Sequence, residues 1–444
     1  MKKTILALTV LLTVVTACAP EPDLVLSAPE RLAFTLEAVG GKEQFILPES
    51  DDFASIPQDP NNPLTTAKVR LGQLLFHETG IGTEAVTEGN LLTYSCASCH
   101  FAGAGFQAGR FQGIGEGGEG FGLNGERREP LAGLTAQDLD VQPIRTPAAL
   151  NVAYQEVMLW NGQFGATGPN EGTEDAWTPN TPKAENWLGF QGVETQALAG
   201  LGVHRLMVNA DIVDSLGYKP LFDAAFPDLP PSQRYEKLPA ALAIAAFERT
   251  VLANRAPFQR YLRGERNALT LAEQEGAILF FGKAGCVSCH SGPSLAGMEF
   301  HALGMADLVD CPEPTFRTDI DNAENLGRGG FTGQPEDHFK FKVPQLYSLK
   351  RTPFYGHGAS FRSLRDVVDY KNTARPENPR LDTNQLPPGF RPLLMTEAEI
   401  DALTDFLEDA LNDGDLRRYE PESLPSGQCF PNHDERSRLE LGCR

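Results

Sequence analysis

Two short stretches of the chain carry cysteine and histidine at a spacing that could hold a metal cofactor. Each stretch reads Cys-x-x-Cys-His, and the residues are Cys96, Cys99 and His100 in the first copy and Cys286, Cys289 and His290 in the second. Two thiols at this spacing can add to the two vinyl groups of one porphyrin, and the adjacent imidazole can then bind its iron. The sequence therefore predicts two covalently bound c-type haems, with His100 and His290 as iron ligands.

Two other kinds of site fit these motifs less well. A zinc site would use closer-set ligand pairs. A redox dithiol of the thioredoxin type would lie in a βαβ pattern, and no such pattern surrounds either motif.

A predicted helix precedes each motif and would position it. Apolar residues recur at helical spacing from Leu64 to Phe76. A capping box at Thr270 starts a helix that runs to Phe281, and a second capping box at Thr396 starts a last helix. The Ala-rich stretch 239–254 is a further strong helix.

The two halves of the chain repeat each other. Gly72 to Phe76, before the first motif, corresponds to Gly276 to Phe280 before the second. With no useful strand alternation, we expect a mainly α fold of two tandem cytochrome c-like domains, each with one covalently bound haem. The expected divisions are a lipoprotein signal peptide (1–17), a tether and entry segment (18–63), a first domain (64–255), a second domain (256–420) and a polar tail (421–444) that a disulfide can link.

The first residues resemble a bacterial lipoprotein signal. A charged start and a short apolar run lead to Val15-Thr16-Ala17-Cys18, which implies cleavage before Cys18 and lipidation of its sulfur. In an ordinary signal peptide Cys18 would be incidental. We expect a protein on the periplasmic side of the cell envelope that contacts the membrane by its lipid anchor only, and Ala19 indicates the outer membrane.

The net charge of −21 argues against nucleic acid as a partner. A basic electron donor would be steered toward such a surface, although the charge could equally serve solubility alone. Three cysteines remain after the haem motifs and Cys18. Cys429 with Cys443 is the first expected disulfide, Cys311 with Cys429 is the alternative, and one thiol is left over.

Several further motifs resemble the bacterial diheme cytochrome c peroxidase family, which also includes the diheme enzyme that matures methylamine dehydrogenase. The similarity covers roughly residues 64–415 and rests on both haem motifs, the helix before each of them, and the segments 145–147, 341–344 and 355–358. The resemblance implies a peroxidatic first haem, a second haem that receives electrons, hydrogen peroxide as substrate, a small cytochrome or cupredoxin as donor, and a homodimer in some members.

The resemblance also assigns roles to individual residues. Trp160 matches a Trp between the haems that helps electrons cross, Gln196 matches a Gln of the peroxide pocket, and His357 matches a His beside the second haem. The alternatives are a plain core role for Trp160 and a surface turn for His357.

The chain departs from the family around the first haem. No His lies between His100 and His204, so a closing loop ligand is missing and we expect an open haem site. The family's catalytic Glu is also missing. His204 is the natural acid–base replacement, with Arg205 to stabilise negative charge and Glu194 as the other candidate. A structural His204, or His204 as a sixth iron ligand, stays open.

The chain departs again at the second haem. Lys371 stands at the position of the family's sixth iron ligand, with Met395 and Met305 as alternatives. Arg145 aligns with an Asn that binds calcium in the family, so a calcium ion is allowed but not required. The expected function is reduction of hydrogen peroxide to water. The alternatives are a diheme oxidase of a protein or organic substrate, and a non-enzymatic electron-transfer cytochrome.

Overall fold

The computed structural model describes residues 26–443, and helices dominate this part of the chain. The α-helices are α1 (Ala28–Ala38), α2 (Thr66–His77), α3 (Gly192–Val203), α4 (Ala210–Ser215), α5 (Lys219–Ala225), α6 (Pro231–Arg234), α7 (Lys237–Thr250), α8 (Pro257–Leu262), α9 (Leu271–Phe281), α10 (Arg328–Thr332), α11 (Leu364–Thr373), α12 (Glu397–Asp405) and α13 (Glu435–Leu441). The strands are short: β1 (Gly118–Glu119) pairs antiparallel with β2 (Glu129–Pro130), and β3 (Phe300–His301) with β4 (Phe341–Lys342). The expectation of a mainly α fold is confirmed.

The repeated glycines lie where two pairs of helices cross. A Cβ atom added to Gly72 of α2 would lie 1.8 Å from the carbonyl oxygen of Ala243 in α7. A Cβ atom added to Gly276 of α9 would lie 2.0 Å from the carbonyl oxygen of Ala402 in α12. Only a glycine allows backbones to approach this closely. The sequence repeat is therefore also a repeat of helix packing, with one crossed pair beside each haem motif.

The predicted helix starts agree with the structure. Thr270 caps α9 and Thr396 caps α12, and in both cases the Glu three residues later bonds back to the cap. The helix expected from Leu64 begins at Thr66 because Thr65 caps it. The last helix continues beyond α12, which ends at Asp405, as a π-helical turn over Phe406–Ala410.

The segment expected to be a tether is folded from Ser27 onward. α1 packs against α9, with Leu32 and Leu36 buried and Arg31 paired with Glu275. The abundance of Pro, Glu and Asp suggested a linker, but the apolar residues of one helix face are enough to anchor it to the core.

The C-terminal segment, expected as a polar tail, packs against the first haem motif. The carbonyl oxygen of Pro431 accepts hydrogen bonds from Ser95 and Ser98, at 2.9 and 3.2 Å. A disulfide joins Cys429 to Cys443, the first of the two pairings that the sequence allows. Cys311 is unpaired among the described residues.

The expected signal peptide and Cys18 lie outside the described residues. Between residues 26 and 443, the helices are too short or too polar for any of them to cross a bilayer.

Candidate functional site

The first haem motif opens into a cleft whose residues suit a bound haem. Cys99 and His100 line this cleft, which contains about 950 Å³ of space free of protein atoms, partly open to solvent. Cys96 lies in the same helical turn, three positions before Cys99. The motif thus supplies the two thiols and the imidazole that covalent haem attachment requires, with Cys99 and His100 on the wall of the cleft.

His100 is prepared to bind a metal through one ring nitrogen. Its Nδ1 lies 3.2 Å from the carbonyl oxygen of Phe106, which accepts a hydrogen bond from that nitrogen and leaves Nε2 with a lone pair. Burial lowers the pKa of His100 to about 4, and it raises the pKa of the Cys99 thiol to about 12. The imidazole is therefore neutral near pH 7, as a metal ligand must be.

One face of α3 presents two side chains to the same cleft. Gln196 and His204 both line it, and His204 caps the C-terminus of the helix. Gly200 lies between them, and a Cβ atom there would be 3.3 Å from Gln196 Nε2 and 3.8 Å from His204 Cδ2. This glycine keeps the space between the two polar groups open for a small ligand.

Asp140 fixes the orientation of His204. The Nδ1 atom of His204 lies 3.0 and 2.9 Å from the two carboxylate oxygens of Asp140, whose side chain is 6% exposed. Desolvation lowers the pKa of His204, but the negative charge and hydrogen bond of Asp140 outweigh it and raise that pKa above its ordinary value. Because Nδ1 carries its proton toward Asp140, Nε2 is the nitrogen left to exchange a proton.

Arg205 and Glu194, which the sequence suggests as catalytic residues at the first haem, form ion pairs outside the cleft. The guanidinium of Arg205 pairs with buried Glu116 and also bonds the carbonyl oxygen of Asp138. Glu194 and Arg249 form an ion pair of 2.6 Å in which both side chains are 0% exposed. Neither Arg205 nor Glu194 is among the residues that line the cleft. Because each of these side chains forms an ion pair with a residue distant in sequence, its charge is not available to a ligand in the cleft.

Sequence reasoning missed three acidic residues of the cleft, Asp140, Glu248 and Glu324. Asp140 lies in a Gly-rich loop without local signal, and Glu248 lies in α7, where its Ala-rich surroundings indicate only a core helix. Burial and the charge of Glu194 raise the pKa of Glu248 to about 8, and its Oε2 has no hydrogen-bond partner among the described residues. Glu248 is therefore mainly protonated near neutral pH.

The second haem motif has the same local construction. His290 Nδ1 lies 3.1 Å from the carbonyl oxygens of Leu295 and Pro344, and burial lowers its pKa to about 4. Lys371, in the last turn of α11, lies near the thiols of Cys286 and Cys289, and burial lowers its pKa to about 8. Its Nζ is 5.4 Å from the ring centre of Phe390.

The second motif also includes a potential metal-binding group. Cys289 Sγ, a carboxylate oxygen of Glu299 and a ring nitrogen of His301 lie within 4.8 Å of one another. Haem attachment would use the same Cys289 sulfur, so this group is not a separate site.

An aromatic series leads from the cleft to Phe341, which pairs across β3 and β4 with His301, a neighbour of Cys289 in the second motif. Trp160 lines the cleft and donates from Nε1 to the carbonyl oxygen of Arg145 at 2.8 Å. Its ring centre is 6.3 Å from that of His357, which stacks on Phe341 at 3.6 Å. His357 is held by Asp307, at 3.0 Å. Trp160 and His357 are thus neighbours in the structure, although they are far apart in sequence.

A helix-rich fold with two Cys-x-x-Cys-His motifs and a cleft at the first of them is typical of the c-type cytochromes. Residues 66–267 match the family described as di-haem cytochrome c peroxidase. This part of the chain is therefore similar to the di-haem cytochrome c peroxidase family, and the protein is an oxidoreductase.

The similar proteins are named either as methylamine utilization proteins or as cytochrome-c peroxidases. The chain is 29% identical over 370 residues to the methylamine utilization protein MauG of Methylorubrum extorquens, covering 83% of each protein. It is 28% identical over 362 residues to the cytochrome-c peroxidase IdrP1 of a Pseudomonas species, covering 76% of this chain and 80% of the relative. A solved MauG-like protein associated with microbial copper homeostasis has the same fold, with a TM-score of 0.55 and 23% identity over 83% of this chain and 95% of that one.

Proposed function

We propose that this protein reduces hydrogen peroxide to water with electrons from a small redox protein. The observation that carries the proposal is the cleft itself, where Gln196 and an Asp140-oriented His204 face the same space as Cys99 and His100. Cys96, Cys99 and His100 would hold one haem, and Cys286, Cys289 and His290 the other. The haems supply the electron transfer that amino-acid side chains do not provide.

The side chains of the cleft move the protons. Nε2 of His204 would accept a proton from one peroxide oxygen and return it to the other, which leaves as water, while the haems would supply the two electrons and solvent the two further protons. Asp140 stabilises the imidazolium that exists between these two transfers, at 2.9 Å from Nδ1. The amide of Gln196 orients the peroxide by hydrogen bonding.

Trp160 and His357 connect the two haem sites. Their ring centres are 6.3 Å apart, and main-chain hydrogen bonds fix both residues, since Lys342 N donates to Trp160 O and Arg145 N donates to His357 O. This rigid contact suits electron transfer from the second haem to the first. A signal peptide and a lipid-anchored position on the periplasmic side of the envelope agree with haem attachment outside the cytoplasm and stay predictions, as do the homodimer and the calcium ion.

The proposal predicts one haem that is open to ligands. The oxidised protein should contain two haems per chain and show one high-spin haem, and it should oxidise a reduced small cytochrome or cupredoxin when peroxide is added. Optical and electron paramagnetic resonance spectra measure the first property, and stopped-flow oxidation of the donor measures the second. Two low-spin haems without turnover would instead identify an electron-transfer cytochrome.

Similarity to MauG favours a second candidate, oxidation of a protein or organic substrate. The same experiment separates the two functions. A peroxidase consumes peroxide in proportion to the reduced donor oxidised, whereas an oxidase of this second kind would form an oxidised protein or organic product without the donor.

The position of Lys371 predicts an amine ligand at the second haem. A buried lysine whose pKa is about 8 has an accessible neutral form, and only this form can bind iron. We expect Lys371→Ala to change the low-spin spectrum of one haem. Lys340→Ala is the control, because Lys340 is partly exposed and pairs with Asp337. An unchanged spectrum of the Lys371 variant would leave Met395 or Met305 as the ligand.

A further inference from the structure

Arg145 is a buried cation whose partners are all neutral. Its residue exposure is 3%, and it lines the cleft of the first haem motif. Its guanidinium donates to Gln107 Oε1 at 2.7 Å and to Thr352 Oγ1 at 2.9 Å. Nε has no hydrogen-bond partner among the described residues. One donor of a permanently charged group is thus left unused inside the protein.

Other buried arginines of the chain are compensated. Arg249 pairs with Glu194 at 2.6 Å, and Arg128 pairs with Asp434 at 3.2 Å. Arg328 has no carboxylate partner, but it donates to a set of four oxygen atoms, namely those of Asn161, Gly162, Pro169 and the side chain of Asn170. Arg145 is therefore unusual in combining burial, an unused N–H group and no carboxylate within 4 Å among residues 26–443.

A buried charge is stable when an opposite charge compensates it or when hydrogen bonds satisfy all of its donors, and Arg145 has neither. Arg145 cannot lose its proton at ordinary pH, so the compensating anion must come from a bound group. A haem carries two propionate carboxylates, and attachment at Cys96 and Cys99 would bring them into the cleft that Arg145 lines. The guanidinium fork matches a carboxylate in shape as well as in charge.

We infer that Arg145 is the counter-ion of a propionate carboxylate of the first haem, and that it sets the reduction potential of that haem. The inference rests on the proposed haem attachment. A fixed cation beside the haem stabilises the reduced state, which carries one more electron. The main chain of Arg145 also bonds Trp160 and His357, so side-chain substitutions test the charge while keeping these connections.

The test compares Arg145→Gln, Arg145→Lys and Arg362→Gln in the full-length holoprotein. Arg362 is the matched control because it is partly exposed and has its own carboxylate partner, Glu313. Haem content is measured first, from the absorbance of the pyridine complex of the haem. Spectroelectrochemical titration should then show a more negative midpoint potential for one haem in Arg145→Gln, a smaller shift in Arg145→Lys, and no shift in Arg362→Gln.

A second measurement does not depend on Arg145→Gln folding. Resonance Raman spectra report the propionate bending mode, and its frequency should differ between the wild type and Arg145→Lys because the hydrogen-bond donor has changed. Unchanged potentials and an unchanged mode in a protein with two haems would overturn the inference alone. If the potentials and the mode are unchanged, but formate alters the spectrum of the wild type and not that of Arg145→Gln, the guanidinium binds an external anion and not a propionate. A wild-type protein without haem would overturn both the inference and the proposed function.

Discussion

His204→Ala is expected to lower the rate of peroxide-dependent donor oxidation by about 10²–10⁴-fold, the range that general acid–base groups contribute. His204 lines the cleft, and the variant would remove the only imidazole that Asp140 orients there. The measurement is kcat with a reduced small cytochrome at saturating peroxide. Haem content and the ferric spectrum should stay those of the wild type, since the expected loss is in proton transfer.

Two controls make the result specific. His338→Ala removes a histidine that does not line the cleft and should leave kcat unchanged. A change of the ferric spectrum in His204→Ala would indicate that His204 is an iron ligand. An unchanged rate would show that His204 is not the acid–base group. Glu248 would then be the next candidate, because it is titratable, lines the cleft and has an oxygen without a hydrogen-bond partner among the described residues.

Asp140→Asn tests the same pair through pH. The carboxylate of Asp140 raises the pKa of His204, so the neutral imidazole forms only at higher pH while that charge is present. Without the charge, the pKa falls and the neutral form is present at lower pH. The rise of kcat/KM with pH should therefore move to lower pH in the variant. A profile that stays in place would show that Asp140 does not control the protonation of His204.

Glu194→Gln is expected to destabilise the fold by about 3–5 kcal/mol, the usual cost of removing one partner from a buried ion pair. Both side chains of the Glu194–Arg249 pair are 0% exposed, and the remaining bonds of Arg249, to Gln191 and Pro57, are to neutral oxygens. Thermal or denaturant unfolding of the holoprotein measures the change.

The matched control is Glu265→Gln. Glu265 also pairs with an arginine, Arg260, but the two side chains are 54% and 46% exposed, so we expect a loss of about 0–1 kcal/mol. Replacing both Glu194 and Arg249 by neutral residues should recover part of the stability, because no uncompensated charge remains. If Glu194→Gln keeps its stability but loses turnover, Glu194 is catalytic and its structural assignment is wrong.

The features that could be predicted from the amino-acid sequence are local in the chain. The haem motifs, the capping boxes at Thr270 and Thr396, and the helix before each motif depend on residues within four positions of one another. The equivalent glycines, Gly72 and Gly276, could also be found, because both halves of the chain repeat the same helix crossing. Patterns of this kind determine which helices form and what each motif can bind.

Which charged side chains form pairs depends on the tertiary structure. His204 pairs with Asp140, Arg205 with Glu116, and Glu194 with Arg249. These partners are 55 to 89 positions apart along the chain, and no spacing rule connects them. Burial makes these pairs necessary, because a charged group removed from water is stable only if it is paired or if its protonation changes. Arg145 has found none among the described residues, which is why we assign its counter-ion to the haem.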